Sequence, residues 1–458
     1  MSLRGLLALL AVALVVVGGF FLDSVTPRAA HGAPPATSSS GAWYCPHGGG
    51  KGWHVEIAVT NPGDRPVEVR VTTFGRGAPL APSRITVPPL TEVRVPVKAE
   101  TRGAATELEY FDGWVGASWL AQAHGNESGL AAEPCTRSLG KVWLLPDGTT
   151  VRGEDAWVVV MNPAAAPAIF TIRLVTEREA VVTKQWTDVL LRPGRSTSFH
   201  LNQFRLGKRT VAAEIETSIG RVAAASLGAS SDGGIRSVIG IPAPQHAVVL
   251  PGGPETSRSD LVVADAGPGR ATYDGSLLRE DGRQTLGQFR AESLQADQAR
   301  TYDIPTQPVS SIEVDATTDA GLAVARRTFG PGADQGSTAG AAPSAAWVVA
   351  SAAVSPKDGW RLMLANPGSE TASVTLWLVS AAGLSEKLSP RLVNVGAGES
   401  RLVAEDFTAG ARLGSVVAVA TSGTFVPLAA SSTGDGAGYA TAVGVPIPGR
   451  WIPALHKT

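Results

Sequence analysis

The chain has 458 residues, with 39 basic against 40 acidic side chains and 52 Gly and 32 Pro. That length suits three or four domains of ~100–150 residues. The balanced charge, with no Lys/Arg stripe or cluster, argues against a nucleic-acid partner. Gly and Pro stand between short Val/Ile/Leu/Thr runs, the texture of many strands joined by many turns.

In chain order, residues 6–22 come first: 17 apolar residues without a charge, preceded by Arg4 and followed by Asp23. The run exceeds a signal h-region of ~7–15 residues and reaches the lower bound of a spanning helix, ~17–25. The nearest small-residue cleavage pattern, Ala30-His31-Gly32, is well downstream. Residues 1–22 therefore read as an uncleaved anchor with Arg4 on the cytoplasmic side, a cleaved signal peptide being the alternative. Residues 23–42, rich in Pro, Ala and Ser, read as a flexible stalk.

The rest is one unit repeated four times. Residues 57–62 (IAVTNP), 158–163 (VVVMNP) and 362–367 (LMLANP) match, and Asn61, Asn162 and Asn366 are 101 and 204 residues apart. The double step predicts a worn copy midway, found at residues 261–266 (LVVADA). Openings keep the same step, at 43–46 (WYCP), 143–146 (WLLP), 248–251 (VVLP) and 347–350 (WVVA). So do glycine-led strands at 113–117, 220–224, 321–325 and 423–427.

Within a unit, residues 55–60 and 67–72 alternate with period two, and the N-P-G-D-R-P between them is a turn in which Asn bonds its own backbone and Pro pre-sets φ. Six or seven short strands per unit without a helical stretch predict an all-β chain of four tandem immunoglobulin-like β-sandwiches, over 43–140, 141–246, 247–345 (degenerate) and 346–458. A closed ring or propeller-like β-array is the alternative, suggested by a fifth opening at Trp451-Ile452-Pro453. That fifth copy leaves open which neighbour each opening strand belongs to. The Gly/Ala-rich passage 330–345 reads as a mobile linker and the first site of proteolysis beyond the stalk.

Tandem units that open on W-x-C-P, run an apolar strand into N-P-G and close on a glycine-led strand resemble a family of uncharacterised secreted or membrane-anchored actinobacterial proteins. The resemblance covers residues 43–453. It implies a cell-envelope setting, in the company of membrane glycosyltransferases, and brings no catalytic residue or ligand with it. Unit three lacks N-P and departs from the pattern.

Candidate sites are few. Residues 43–54, WYCPHGGGKGWH, hold Cys45, His47, His54 and a glycine run ending in Lys51. A phosphate loop needs G-x-x-x-x-G-K-[ST] ahead of a helix, and here Gly52 follows the lysine. Zinc would want a fourth ligand and tighter Cys/His spacing. The equivalent loops of the other units keep neither Cys nor His, so the stretch reads as a variable turn. Cys45 and Cys135, the only two cysteines of an exported chain, are expected to form one disulfide that staples unit one. Residues 228–234 lack the geometry of a nucleophile elbow, and their Ser, Asp and Gly are ordinary turn residues. Asn126-Glu127-Ser128 matches a glycosylation sequon by pattern alone. Trp43, Trp143, Trp347 and Trp451 recur at strand starts and read as packing residues, while one of Trp114 and Trp119, five apart, is expected at the surface. No catalytic group, metal or cofactor is expected. The chain reads as a non-enzymatic, membrane-tethered extracytoplasmic array that binds or scaffolds an envelope protein or glycan. The alternatives are a carbohydrate-binding array using exposed aromatics, and an enzyme with a site at a domain junction.

Overall fold

The computed structural model describes residues 40–451 apart from positions 126, 232, 253–257, 266, 268, 305–308, 331–334, 352, 354–357, 386–389, 404–413 and 434–437. The expected anchor, most of the stalk, Asn126 of the sequon and Ile452-Pro453 lie outside the described residues. Among these residues there is no α-helix, and no helix long and apolar enough to cross a membrane.

Unit one holds strands β1 (Gly41–Cys45), β2 (Trp53–Asn61), β3 (Val67–Phe74), β4 (Ser83–Val87), β5 (Thr91–Val97), β6 (Ala105–Phe111), β7 (Gly116–Ala123) and β8 (Gly129–Pro134). They form two four-stranded antiparallel sheets, in the orders β1-β6-β3-β4 and β5-β2-β7-β8. The β2–β5 and β3–β6 pairs are those of an immunoglobulin sandwich. The flanking places differ: β1 lies beside β6, β7 beside β2, and β8 is added at the edge. The plan recurs over residues 142–239, 247–339 and 346–446, where the fourth strand is broken into two short pieces.

The opening strand belongs to the unit it opens. β1 pairs with β6, Val142–Leu145 with Ala212–Ile219, Ala247–Pro251 with Ser310–Ala316 and Ala346–Ala350 with Ser415–Ser422. Each opening tryptophan fixes this pairing from inside the core. Trp43, Trp143 and Trp347 are 3 %, 0 % and 2 % exposed, and their indole N–H donates to the carbonyls of Val115 (2.7 Å), Val222 (2.7 Å) and Phe425 (2.9 Å). Burial without that bond would orphan a donor.

The N-P turn is closed the same way three times. Asn61, fully buried, donates to the carbonyls of Arg65 (2.7 Å) and Val87 (3.0 Å) and accepts from the Gly63 amide (2.9 Å). Asn162 repeats this on Ala166, Leu191 and Ala164, and Asn366 on Glu370, Val395 and Gly368. Donor and acceptor are both used, which an amide supplies and a carboxylate does not. Unit three has Asp265 there. It accepts from the Gly267 and Ala271 amides at 2.9 and 3.2 Å, and burial pushes its carboxyl above the usual range against those two bonds.

The last strands of the units are the structural surprise. β8, Ile235–Ile239, Gln335–Ala339 and Tyr439–Val443 each sit at the edge of a sheet, yet nearly every residue in them is buried. They pack against one another in turn around one axis, and the fourth returns to the first. The outer contacts repeat too. The end of the third strand of one unit meets the fifth-strand region of the next: the Ser196 amide donates to Gly75 (3.1 Å), the Ala299 amide to Thr176 (2.9 Å), and Arg279 bridges Glu399. Between units four and one, Ala372–Ser380 lies on β5, and the Thr60 and Ser415 hydroxyls are 2.8 Å apart across 355 residues of chain. The four sandwiches therefore close head to tail into a ring with pseudo-fourfold symmetry.

Ring closure overturns the expectation of a mobile linker over 335–345, residues 331–334 lying outside the described residues. Gln335–Ala339 pairs with Leu322–Phe329, faces the axis and is buried, and Ala341 bridges Val249. Small residues are needed there because backbones approach closely. A Cβ on Gly336 would lie 2.7 Å from the Thr441 hydroxyl, and one on Gly129, at φ 124°, would lie 2.9 Å from the Gly234 backbone.

Asp265→Asn should remove the cost of the buried carboxylate while giving up the oxygen that accepts from the Ala271 amide, for a net gain of no more than ~1 kcal/mol at neutral pH. Because the folded-state carboxyl is raised, the native protein binds that proton more tightly than the unfolded chain. The advantage of the amide should be full above the raised folded pKa and shrink as pH falls through it to the unfolded value of ~3.9. Thermal melts of both proteins at neutral and acid pH check this.

Candidate functional site

The opening stretch resolves into structural parts. Cys45 and Cys135 are bonded, with Cα atoms 4.6 Å apart and 90 residues between them in sequence. The bond joins β1 to the chain just after β8, beside the bridge between Tyr44 and Thr136. His47 is buried: its Nδ1–H donates to the Gly48 carbonyl (2.6 Å) and its Nε2 accepts from the Thr106 hydroxyl (3.0 Å). Burial lowers its pKa to about 4, the Gly48 bond opposing. His54 points the other way and pairs with Glu56 at 2.9 Å. The two histidines and the bonded sulfur do not converge, and among the described residues no three His, Cys, Asp or Glu side chains are placed to hold a metal ion.

The tryptophans are nearly all interior. Trp114 and Trp119 are 3 % and 0 % exposed, which corrects the expectation that one is at the surface. Trp114 precedes β7 instead of lying in it, so strand alternation does not apply, and it packs edge-on against Trp43 with centroids 6.1 Å apart. Trp377 is buried where unit four meets unit one, and Trp186 packs against Phe199 and Phe204.

What sequence reasoning missed lies at the junctions. Between units one and two, Trp53, Arg102, Trp157 and His200 form a four-layer ladder. The Arg102 guanidinium is 5.0 Å from the Trp53 ring and 4.6 Å from Trp157, and His200 stacks on Trp157 at 4.9 Å and 14°. Glu127 accepts from Arg102 and from the Trp53 indole, and Asp155 pairs with His200 at 2.8 Å. Trp53 and Trp157 are half-buried, and Arg102 and His200 cover ring faces that a sugar would otherwise use. Beside the ladder is a polar cleft of about 650 Å³, lined among others by Glu127, Arg152, Glu154, Asp155, Asn202 and Ser231.

Between units two and three the joint is ionic and buried. Asp147 takes the Arg327 guanidinium (Nε at 3.1 Å), the Ser337 hydroxyl and, at 3.4 Å, Arg236 Nε. Arg236 also donates to Glu154 and Gln335, both at 2.8 Å, and Gln335 donates back to Glu154 at 2.8 Å. Burial alone would raise Asp147, but Arg327, Arg236 and Ser337 reverse that and hold it below the usual carboxylate range. Between units three and four two hydroxyl pairs meet, Thr338 with Thr441 (3.2 Å) and Ser400 with Ser311 (2.8 Å), and Arg283 reaches the Pro367 carbonyl. Between four and one, Ser415 donates to buried Glu92, and Arg94 reaches the Ser351 carbonyl at 3.1 Å. The signal for the ionic joint was present in residues 322–329, LAVARRTF, where two arginines interrupt an otherwise apolar strand.

Arg326 and Arg327 occupy successive positions of that strand and so face opposite sides. Arg327 turns out to the unit-two joint. Arg326 turns into its own sandwich, bonded to Ser259 and to the carbonyls of Leu250 and Ser310, with burial lowering its pKa to about 10.

Two measurements follow. Replacing both Cys45 and Cys135 by Ala should cost ~4 kcal/mol in the chain-entropy model for a loop of this length, and thiol titration of the native protein should find none free. His47 is neutral in the fold and titrates only near pH 4, whereas the unfolded chain takes up that proton from pH ~6.5 downward. Stability is thus full above ~6.5 and falls by up to ~1.4 kcal/mol per pH unit toward 4. His47→Asn, which keeps a donor for Gly48, should flatten that stretch of the pH–stability curve.

No curated protein matches the sequence. The model of a family of unknown function, DUF5719, matches residues 109–404. That span includes all of units two and three and parts of one and four, more than half of the chain, so the protein belongs to this family.

Proposed function

We propose that the protein is a non-enzymatic binding or scaffolding ring, held on the extracytoplasmic face of a plasma membrane by residues 6–22 and serving an envelope protein or glycan. The observation that carries this reading is the use made of the chemically capable side chains. Asp147, Arg236, Arg327, Glu92 and Arg102, which elsewhere would be candidates for acid–base or electrostatic work, are each committed to a partner across a unit junction, and His200 is held by Asp155 and Trp157 of its own unit. Where a charge state is perturbed, the joint is the cause: against burial, which would raise it, Arg327 and Arg236 hold the Asp147 carboxyl low. Strong perturbation marks a catalytic site only with some probability, because structural ion-pair networks produce it as well.

The disulfide supports an oxidising compartment. The repeat supports a presenting surface: strands and clasps are common to the units, while the loops at the end of the ring away from the N-P turns differ from unit to unit, as binding loops do. A carbohydrate-binding ring is the second reading. It is favoured by the cleft beside the ladder, whose carboxylate, amide and hydroxyl lining suits a polyhydroxylated ligand. The covered faces of Trp53 and Trp157 weigh against an aromatic platform there.

Fractionation of cells expressing the full chain with a C-terminal tag tests the tether. The protein should sediment with membranes, resist an alkaline wash, be cut by protease added outside, and begin before Asp23. A soluble product starting near Ala33 would contradict the anchor. The immobilised full chain should retain an envelope protein or wall glycan. Hydrolase or transferase turnover by the purified protein alone would overturn the non-enzymatic reading.

A further inference from the structure

Ring closure creates one recess, walled by units one, two and four and the passage after unit three. It has a volume of about 580 Å³ and lies where the last strands end and the linkers cross. Pro134 and Arg137 come from unit one, Ile239 from unit two, Ala342 from the passage after unit three, and Val443 and Ile447 from unit four. The size is that of a small-molecule site, ~300–1,000 Å³.

Its chemistry is one-sided. Trp43 and Trp347 close it from behind, almost wholly buried, with their N–H groups spent on Val115 and Phe425, so they bring no free donor to it. Pro134, Pro446 and Pro448 line it as well and have no amide hydrogen. A bound peptide would therefore find few backbone donors for its carbonyls, while a hydrocarbon needs none. The cation at this wall is Arg137, exposed, with its guanidinium 5.8 Å from the Trp43 ring.

The recess also has a defined direction. β1 starts at Gly41, opposite Tyr110 near the end of β6, and Trp43 follows two residues later in the recess wall. The N-terminal end of β1 thus lies on the face on which the recess opens. The stretch between residue 22 and Gly41 spans at most ~65 Å when fully extended, at ~3.3–3.6 Å per residue. If residues 6–22 are in a bilayer, this face is within one stalk length of it.

We propose that the recess takes one hydrocarbon chain of an anionic membrane phospholipid, with the phosphate set on Arg137. The proposal rests on the tethered reading above, and its test separates the two. The full chain is reconstituted in phosphatidylcholine vesicles doped with a phosphatidylglycerol that carries a diazirine in one acyl chain. After photolysis, adducts are mapped by mass spectrometry. Adducts are expected on residues 134–137 and 443–449. They should fall about tenfold or more in Ala342→Trp, which fills the recess from an exposed position, and in Arg137→Glu, which repels the phosphate, with unchanged melting temperatures. The second variant serves if the first does not fold. Adducts confined to residues 1–40, or unchanged in a folded variant, would overturn the recess site and leave the tether standing. Equal labelling by a neutral-headed diazirine lipid would overturn the role of Arg137. Protein that does not stay with the vesicles would overturn the tether itself.

Discussion

The structure depends on four edge strands buried against one another. An edge strand presents unpaired backbone groups and is a standing invitation to pair with another chain, which proteins usually blunt with charge, bulges or covering loops. Here β8 and its three counterparts are covered by each other, so one edge of one sheet in each unit becomes the interior of the ring. The arrangement requires small side chains: Gly129, Ala131 and Ala132 in unit one, Gly336 and Ser337 in unit three, and Ala440 and Ala442 in unit four. It also requires the fourth unit to reach the first. Trp377, Val379, Val417 and Val419 of unit four form one apolar cluster with Ile57, Val59 and Trp119 of unit one. Contacts that repeat head to tail either close or run on as a filament, and the rotation between these units closes after four.

The four joints carry different polar chemistry: a Trp–Arg–Trp–His ladder, a buried carboxylate between two guanidiniums, hydroxyl pairs, and a carboxylate–serine contact. Buried ion pairs are weak evidence for stability, since desolvation offsets much of their attraction, but breaking one partner away is costly. A wrong neighbour would leave Asp147 or Arg327 buried and unpaired. The four different joints thus penalise any order other than one-two-three-four. Specificity of assembly is the role these charges fit, and it explains why a repeat protein so uniform in its strands is so varied between them.

The sandwich strands, the repeat and the turn clasps were legible in the sequence because each has a local cause. Alternation marks β2 and β3, and the recurring N-P marks Asn61, Asn162 and Asn366. The opening tryptophans recur because each fills the same core position. The axial strands were not legible. Residues 335–339, QGSTA, and 129–134, GLAAEP, have the composition of linkers, because strands buried on both faces at close backbone approach select Gly, Ala, Ser and Thr and lose alternation. The same non-local cause hid the ladder and the ionic joint: Trp53 and His200, or Asp147 and Arg327, are brought together only when units dock. Asp147 stood in a loop that reads as variable between units, and its variability is what makes its joint distinct.

For function, the ring provides two faces of different character. One carries the N-P turns, the apolar axial recess and the N-terminal end of β1; the other carries the unit-specific loops and the polar cleft. The recess depends on closure, since units one, two and four and the passage after unit three all wall it. Closure is tested most directly at the Thr60–Ser415 contact, where the hydroxyls are 2.8 Å apart. In a Thr60→Cys/Ser415→Cys chain purified under oxidising conditions, a closed ring predicts a spontaneous intramolecular disulfide, seen as a linked peptide pair in a monomer that melts no lower than the parent. Two free thiols in the folded monomer, or disulfides only between chains, would contradict the ring.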